Sequence, residues 1–232
     1  MDTNMIFGFL RDLVQNNNRE WFHANKDRYD AAKADFEQFV QQWIDKMTDL
    51  EPELRGLQVK DCEWRIYRDT RFSLDKTPYK DHFGAFVAQH GGKKSPYAGY
   101  YLHLQPNACM FAAGMWCPVP ELLKAIRTSI MDNYEELEQI MGAPSFRRYF
   151  SDFDTYATLK KVPAGFPSDA PHAEWLRLKT FTVSCSLTEK EISRSDFSDQ
   201  LMDICRAAKP LNDFLNYTFE EAGIEPRLLV FS

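Results

Sequence analysis

Residues 98–115 read AGYYLHLQPNACMFAAGM, and this stretch decides the fold. Two runs rich in aromatic and other apolar residues flank Pro106 and Asn107, which are residue types typical of tight turns. Two such runs with so short a break between them indicate a β-hairpin. We therefore predict strands at about 98–105 and 108–115 that are joined by a tight turn.

Short runs of the same character occur on both sides of this hairpin. They predict strands at about 64–70 and 83–90, and a further strand from Phe181 to Leu187. The last run, FTVSCSL, alternates large apolar residues with small polar ones, as a sheet with one covered face requires. The sequence thus predicts an antiparallel sheet of about five strands.

Apolar residues at steps of three and four predict long helices near both ends of the chain. The predicted helices are Asp2 to Val14, one long helix from Arg19 to about Leu50, one opened by Pro118 and Pro120, Asn133 to Met141, Ser195 to Ala208, and Leu211 to Ala222. The run 16–18 supplies a stop and a new N-cap, and Pro210 separates the last two helices. We predict one α+β domain over residues 1–232, in which the N-terminal and C-terminal helices cover one sheet face.

The bulk composition excludes several classes of protein. The chain is 44% hydrophobic and 14% aromatic, which indicates a globular protein. Its formal net charge of -6 argues against wholesale coating of nucleic acid, and no apolar run approaches the roughly 20 residues that span a bilayer, so no membrane partner is expected. The five cysteines show no CxxC spacing, which favours reduced thiols in a cytoplasmic protein over a disulfide framework or a zinc site.

One segment of this acidic chain is strongly cationic. Residues 64–82 read WRIYRDTRFSLDKTPYKDH and contain five basic residues against three carboxylates. Unpaired like charges repel each other and are expensive to desolvate, so the cluster predicts an anionic partner. The predicted ligand-binding residues are Arg65, Arg68, Arg71, Lys76, Tyr79 and Lys80. The predicted ligand is a phosphorylated or polycarboxylate small molecule, with Asp69 or Asp75 orienting the donors or acting in proton transfer.

Two other interpretations of this segment stay open. Arg68 and Arg71 would pair with nearby carboxylates in a purely structural network, or the basic strip would contact nucleic acid or an acidic protein. His82 and His103 are candidates for a general acid or base beside a bound phosphate. No GxSxG, GxxxxGK[ST] or strand-linked GxGxxG motif is present. The sequence therefore leaves open whether there is catalysis, which cofactor is used and what the oligomeric state is.

Four motifs spread over most of the chain resemble a known family. They are FLRDLVQNNNREWFHANKDRY near the start, RIYRDTRFSLDKTPYK, GYYLHLQP with the following glycine and Trp116, and LKKVPAGFPSD with the later LRLK. Together they are similar to the uncharacterised proteins grouped as domain of unknown function 2461. The resemblance implies a location for the site in the second motif, and it implies no activity or cofactor.

Overall fold

The computed structural model describes residues 1–224, and a four-stranded antiparallel sheet lies at its centre. The strands are β1 (Phe83–Val87), β2 (Gly99–Leu104), β3 (Cys109–Met115) and β4 (Phe181–Leu187), side by side in chain order. The turn between β2 and β3 is tight, since Asn107 adopts a φ of 63° and the Ala108 amide donates to the Gln105 carbonyl at 3.0 Å. The predicted α+β class and antiparallel sheet are confirmed, with four strands in the described residues instead of about five.

The register of the strands separates two faces of the sheet. Phe83 pairs with Leu104, and Phe86 pairs with Tyr101. Because successive side chains of a strand point to opposite faces, these two pairs lie on different sides. The inner face carries Phe83, Ala85, Val87, Tyr100, Leu102, Leu104, Phe111, Ala113 and Val183. The outer face carries Gly84, Phe86, Tyr101, His103, Met110, Ala112, Thr182 and Ser184.

Two long helices pack on the inner face of the sheet. The helices are α1 (Thr3–Gln15), α2 (Arg19–Ala24), α3 (Lys26–Leu50), α4 (Val59–Cys62), α5 (Pro120–Asp132), α6 (Tyr134–Gly142), α7 (Pro144–Arg147), α8 (Ala173–Leu176), α9 (Glu189–Ile192) and α10 (Phe197–Glu221). Helix α3 packs on β1, and α10 packs on β3 and on α3. The prediction that N-terminal and C-terminal helices cover one face is therefore confirmed. In the described part of the chain, none of the helices combines the length and the apolar character needed to cross a membrane.

The prediction of one helix from Arg19 to about Leu50 is wrong at Asn25, where the chain breaks into α2 and α3. The Asn25 side-chain amide donates to the Trp21 carbonyl at 2.9 Å. Such side-chain bonds to the backbone compete with continuation of a helix. The N-cap predicted in the run 16–18 is confirmed at Asn18, whose side-chain oxygen accepts from the Trp21 amide at 2.9 Å.

The prediction of two C-terminal helices separated by Pro210 is also wrong, since α10 is one helix with that proline inside it. A proline within a helix removes a hydrogen bond and costs about 3 kcal/mol. Ile204 and Leu211 are among the buried residues that α10 contributes before and after the proline. Burial of this continuous apolar stripe outweighs the local cost, because tertiary packing supplies most helical stability in proteins.

The prediction of a strand at 64–70 is wrong, because these residues do not form a strand of the sheet. Residues 66–80 instead form an irregular hairpin, in which the Arg68 amide donates to the Pro78 carbonyl at 2.9 Å and the Lys80 amide donates to the Ile66 carbonyl at 2.7 Å. Pro78 has no N–H to donate, so a regular ladder cannot pass it. Strand β1 likewise ends at Val87 and does not reach residue 90.

Candidate functional site

A cavity of about 840 Å³, here called the sheet cavity, lies over the outer face of the sheet. Its floor consists of side chains from β1, β2 and β3, namely Phe86, Tyr101, His103, Met110 and Ala112. One wall carries Trp64, Lys80, His82 and Lys93. The other wall carries Trp116, Asp154, Tyr156 and Thr182. Because the long helices α3 and α10 pack on the inner face, the fold leaves this side of the sheet open to a ligand.

Aromatic rings form much of the cavity surface. Trp64 meets Tyr101 edge to face, with ring centroids 5.5 Å apart. Trp116 and Tyr156 lie 6.0 Å apart at the opposite wall, and both are largely exposed. Such rings bury a large apolar area at low cost in side-chain entropy, which suits contact with a flat or apolar ligand body.

A hydrogen-bonded carboxylate fixes the second wall to the sheet. Asp154 accepts from the Thr182 hydroxyl at 2.8 Å and from the Ser184 hydroxyl at 2.6 Å. The Asp154 amide also donates to the Thr182 carbonyl at 2.7 Å. These bonds hold the irregular segment that contains Tyr156 against β4.

Two lysines, Lys80 and Lys93, line the first wall. Burial lowers the pKa of Lys80, and the nearby charges of Arg65 and Lys93 lower it further. Within residues 1–224, no hydrogen-bond acceptor or carboxylate pairs with the Lys80 amine. Lys93 donates to the Lys60 carbonyl at 2.5 Å and to the Glu63 carbonyl at 2.6 Å, so its position is fixed by the end of α4.

Asp81 and His82 form a hydrogen-bonded pair at the same wall. His82 Nδ1 lies 3.0 Å from Asp81 Oδ1, and a carboxylate oxygen can only accept, so Nδ1 carries the proton. In neutral His82, Nε2 is therefore the basic atom. Burial is the main reason that the pKa of His82 is lowered, and the charges of His103 and Lys80 add to the effect against the opposing influence of Asp81.

A chain of hydrogen bonds runs from the same carboxylate into the cavity floor. The Gln105 amide nitrogen donates to Asp81 at 2.9 Å, and its oxygen lies 2.9 Å from His103 Nε2. His103 Nδ1 lies 2.7 Å from the Tyr101 hydroxyl. The Asp81 carboxylate can only accept, so the Gln105 side chain donates to it with its nitrogen and accepts from His103 with its oxygen. His103 Nε2 therefore donates to Gln105, and His103 Nδ1 accepts from the Tyr101 hydroxyl. Burial lowers the pKa of His103 and raises that of Tyr101.

The two histidine rings are in contact. The centroids of His82 and His103 lie 4.2 Å apart. Because two imidazolium ions at this separation repel each other, the pair resists double protonation. Burial lowers the pKa of both histidines, and the repulsion acts in the same direction, so both effects favour neutral imidazoles in the sheet cavity.

The predicted ligand-binding arginines lie outside the sheet cavity. Arg71 forms a bidentate pair with Asp69, and Arg68 pairs with both Asp75 and Thr77. The pair with Arg71 holds the pKa of Asp69 at about 2. The Thr77 backbone amide, together with the Arg68 side chain, holds the pKa of Asp75 at about 2. The two predicted catalytic carboxylates thus bond to the motif's own donors in the loop of the 66–80 hairpin.

The rest of the loop is also internally bonded at its base and exposed at its tip. The Lys76 amine donates to the Thr70 carbonyl at 2.8 Å. Phe72 and Leu74, at the tip, have relative exposures of 95% and 103%. The loop is therefore held by its own hydrogen bonds and ion pairs, and its tip is exposed to solvent.

Tyr79 belongs to the core of the protein. It is 3% exposed, and its ring stacks on Phe22 with centroids 4.0 Å apart. The Asn17 side chain forms two hydrogen bonds with the Tyr79 backbone, accepting at 3.1 Å and donating at 3.0 Å. These contacts fasten the hairpin to α1 and α2, and they thereby fix the position of Lys80 one residue further on.

Of the eight residues that the sequence predicts for the site, only Lys80 lines the sheet cavity, and Arg65 is close enough to affect the Lys80 pKa. Sequence reasoning identified His82 and His103 as acid or base candidates, but it did not place Trp64, Lys93 or Asp154 in a site. Those residues come from separate segments, so no local spacing connects them. The alternation along the predicted strand does place Tyr101 on the same face as His103, and the structure joins the two side chains by a hydrogen bond.

No group of three or more metal-ligating side chains converges anywhere in residues 1–224. All five cysteines are free thiols. Burial raises the pKa of Cys117, which lines the second wall of the cavity. The polar groups that line the sheet cavity include amines, imidazoles, phenols, the Cys117 thiol and the carboxylates of Asp154 and Glu121.

A protein-family model described as Conserved hypothetical protein (DUF2461) matches residues 5–214. The match spans the 66–80 hairpin, all four strands and both walls of the sheet cavity. None of the curated proteins and none of the solved structures matches the chain.

Proposed function

Because the chain belongs to the DUF2461 family of conserved hypothetical proteins, whose description assigns no activity, we propose a function from the sheet cavity alone. We propose that the protein binds a small organic anion there, with the anionic group at the end that carries Lys80 and Lys93, close to the charge of Arg65. The apolar or aromatic body of the ligand would lie against Trp64, Tyr101 and the opposite wall.

The single observation that carries this proposal is the environment of Lys80. The Lys80 side chain lines a cavity, is affected by the charges of Arg65 and Lys93, and has no acidic partner among residues 1–224. A charge in that environment is unfavourable without a counter-ion, since desolvation and like-charge repulsion both act against it. An anionic ligand removes both penalties, so the site gains free energy on binding.

The size and surface of the cavity fit this class of ligand. Its volume of about 840 Å³ lies within the roughly 300–1,000 Å³ typical of small-molecule sites. Such sites combine mainly apolar and aromatic walls with a few polar groups that orient the ligand. Lys80, His82 and His103 supply those polar groups.

A separate role is supported for the arginines of the loop. Arg68 and Arg71 each bond to a carboxylate within the same loop, which favours the structural interpretation for these two residues. We propose that they and Lys76 hold the 66–80 hairpin in shape, and that Arg65 and Lys80 attract the ligand. A cytoplasmic location is part of the same proposal.

Thermal unfolding with and without ligand tests the proposal. Phenyl phosphate and phenyllactate combine an anionic group with one ring, and benzyl alcohol is the matched neutral compound. A ligand at ten times its Kd stabilises the native state by about 1.4 kcal/mol, which raises the Tm of a protein of this size by about 3–6 °C. We expect this rise with at least one anion and no rise with benzyl alcohol.

Two single-residue variants show where the anion that raises the Tm binds. Lys80→Met is expected to abolish the anion-dependent rise in Tm, whereas Arg71→Ala, in the loop, is expected to retain it. A rise that persists in Lys80→Met and disappears in Arg71→Ala would move the anion site to the loop and contradict the proposal. The absence of a rise with both anions would contradict it as well.

A further inference from the structure

Lys80 has a fixed backbone and a side chain that lines a cavity, which are two features expected of a reactive amine. Its backbone is fixed by the 2.7 Å bond to Ile66, and its side chain lines the sheet cavity beside the imidazole of His82. Burial and the charges of Arg65 and Lys93 favour loss of its proton. A lysine that is desolvated and close to other cations is the kind that forms Schiff bases with carbonyl compounds.

We propose that the Lys80 amine forms an imine with the carbonyl carbon of an organic anion that is bound in the sheet cavity. This inference rests on the proposed function, since the anion site holds the carbonyl compound in place. In the first step, the neutral amine attacks the carbonyl carbon, a C–N bond forms, and the carbonyl oxygen takes up a proton to give a carbinolamine. In the second step, that hydroxyl leaves as water and the C=N bond forms.

His82 is positioned to move the protons of both steps. Its Nδ1–H donates to Asp81, which leaves Nε2 as the atom that accepts and returns a proton. Lys80 and His82 are two residues apart in the chain and both line the sheet cavity. In the first step one proton passes from the attacking nitrogen to the carbonyl oxygen, and in the second step the other N–H proton passes to the leaving hydroxyl, so both hydrogens of the amine leave in one water.

The charges around the amine select the carbonyl compound. Arg65 and Lys93 both act on Lys80, so an anionic group is stabilised close to the carbon that the amine attacks. A 2-oxo acid has this arrangement, because its carboxylate is attached directly to the carbonyl carbon. The aromatic pair of Trp64 and Tyr101 favours a ring or another apolar group at the far end.

Trapping with phenylpyruvate and sodium cyanoborohydride at neutral pH tests the inference. The reagent reduces an imine to a stable secondary amine, which mass spectrometry of the intact protein and of its peptides detects. We expect one adduct per chain, located at Lys80. Lys80→Arg keeps the positive charge and is expected to give no adduct at this position, whereas Lys160→Arg, which alters an exposed lysine, is expected to leave the adduct unchanged.

Phenyllactate separates failure of the imine from failure of the anion site, because it has the ring and the carboxylate but no ketone. If phenyllactate raises the Tm and phenylpyruvate gives no adduct at Lys80, the imine is overturned and the anion site stands. If phenyllactate has no effect and no adduct forms, both are overturned. Adducts spread equally over Lys80 and Lys160 also overturn the inference, because they indicate a lysine of ordinary reactivity.

Discussion

The substitution Gly84→Ala tests the position of Tyr101 in the cavity floor. A Cβ at residue 84 would lie 2.7 Å from the Tyr101 hydroxyl oxygen and 3.1 and 3.2 Å from two ring carbons. Ordinary contacts begin near 3.4 Å, so the hydroxyl must retreat by about 0.7 Å. That oxygen also donates to His103 at 2.7 Å, and the retreat breaks or weakens this bond.

The expected loss of stability is the sum of two contributions. Overpacking costs about 1–3 kcal/mol, and a lost hydrogen bond costs about 0.5–1.5 kcal/mol. We expect Gly84→Ala to lower the free energy of unfolding by about 1.5–4.5 kcal/mol in a urea titration. Gly8→Ala is the matched control, because nothing lies within 4 Å of its added Cβ in α1, and it is expected to raise the free energy of unfolding by up to about 1 kcal/mol.

A double-mutant cycle assigns the loss to Tyr101. Tyr101→Phe removes the atom at 2.7 Å and leaves only the ring carbons, so Gly84→Ala should cost at least about 1 kcal/mol less in that background. An unchanged cost in Tyr101→Phe would show that the hydroxyl is not above Gly84. That result would refute the described geometry of the cavity floor.

Four further predictions follow from the same contacts. Lys80→Met should raise the free energy of unfolding at pH 7, because the lowered pKa of Lys80 means that its charged form destabilises the folded state; a decrease would contradict this. The pKa values of His82 and His103 are lowered by burial, so below about pH 6.5 the unfolded state binds more protons and stability should fall as the pH falls; a His82→Asn, His103→Asn variant with an equally steep decline would argue against this cause. Arg68→Ala removes the partner of Asp75, so chymotrypsin should cleave after Phe72 faster than in the wild type, with little change in the urea midpoint; equal cleavage rates would show that the pair does not hold the loop. Pro210→Ala should raise the free energy of unfolding by up to about 3 kcal/mol in urea titrations, and a loss would indicate that α10 needs the proline.

The sheet could be predicted from the sequence wherever local signals agree. The hairpin of β2 and β3 has two apolar runs and one turn signal, and β4 has a regular alternation, so three strands lie close to their predicted bounds. Helices α1, α5 and α6 were predicted for the same reason.

The errors occur where tertiary contacts override local preference. Pro210 reads as a break, yet burial on both sides keeps α10 continuous. Asn25 reads as an ordinary position within a helix, yet its side-chain bond to Trp21 ends α2. In residues 64–70 the β-forming side chains are present, but Pro78 in the opposing segment removes the N–H that a ladder needs.

The candidate site shows the same limit. Charge density located the 66–80 hairpin, but it could not separate cations that pair inside the loop from those that are near the cavity. That separation depends on Asp69 and Asp75, whose carboxylates bond to Arg71 and Arg68 across turns of the chain. Only the fold shows that Lys80 lines the sheet cavity whereas Arg68 and Arg71 do not.

The most direct test of the central claim is where an anion binds. Side-chain NMR signals of His82 and His103 report on the sheet cavity, and those of His23, exposed on α2, serve as the internal control. On titration with phenyl phosphate at constant pH, the signals of the cavity pair should move together to saturation while those of His23 stay in place. Unmoved cavity histidines at concentrations that raise the Tm, or an equal shift of His23, would contradict the account.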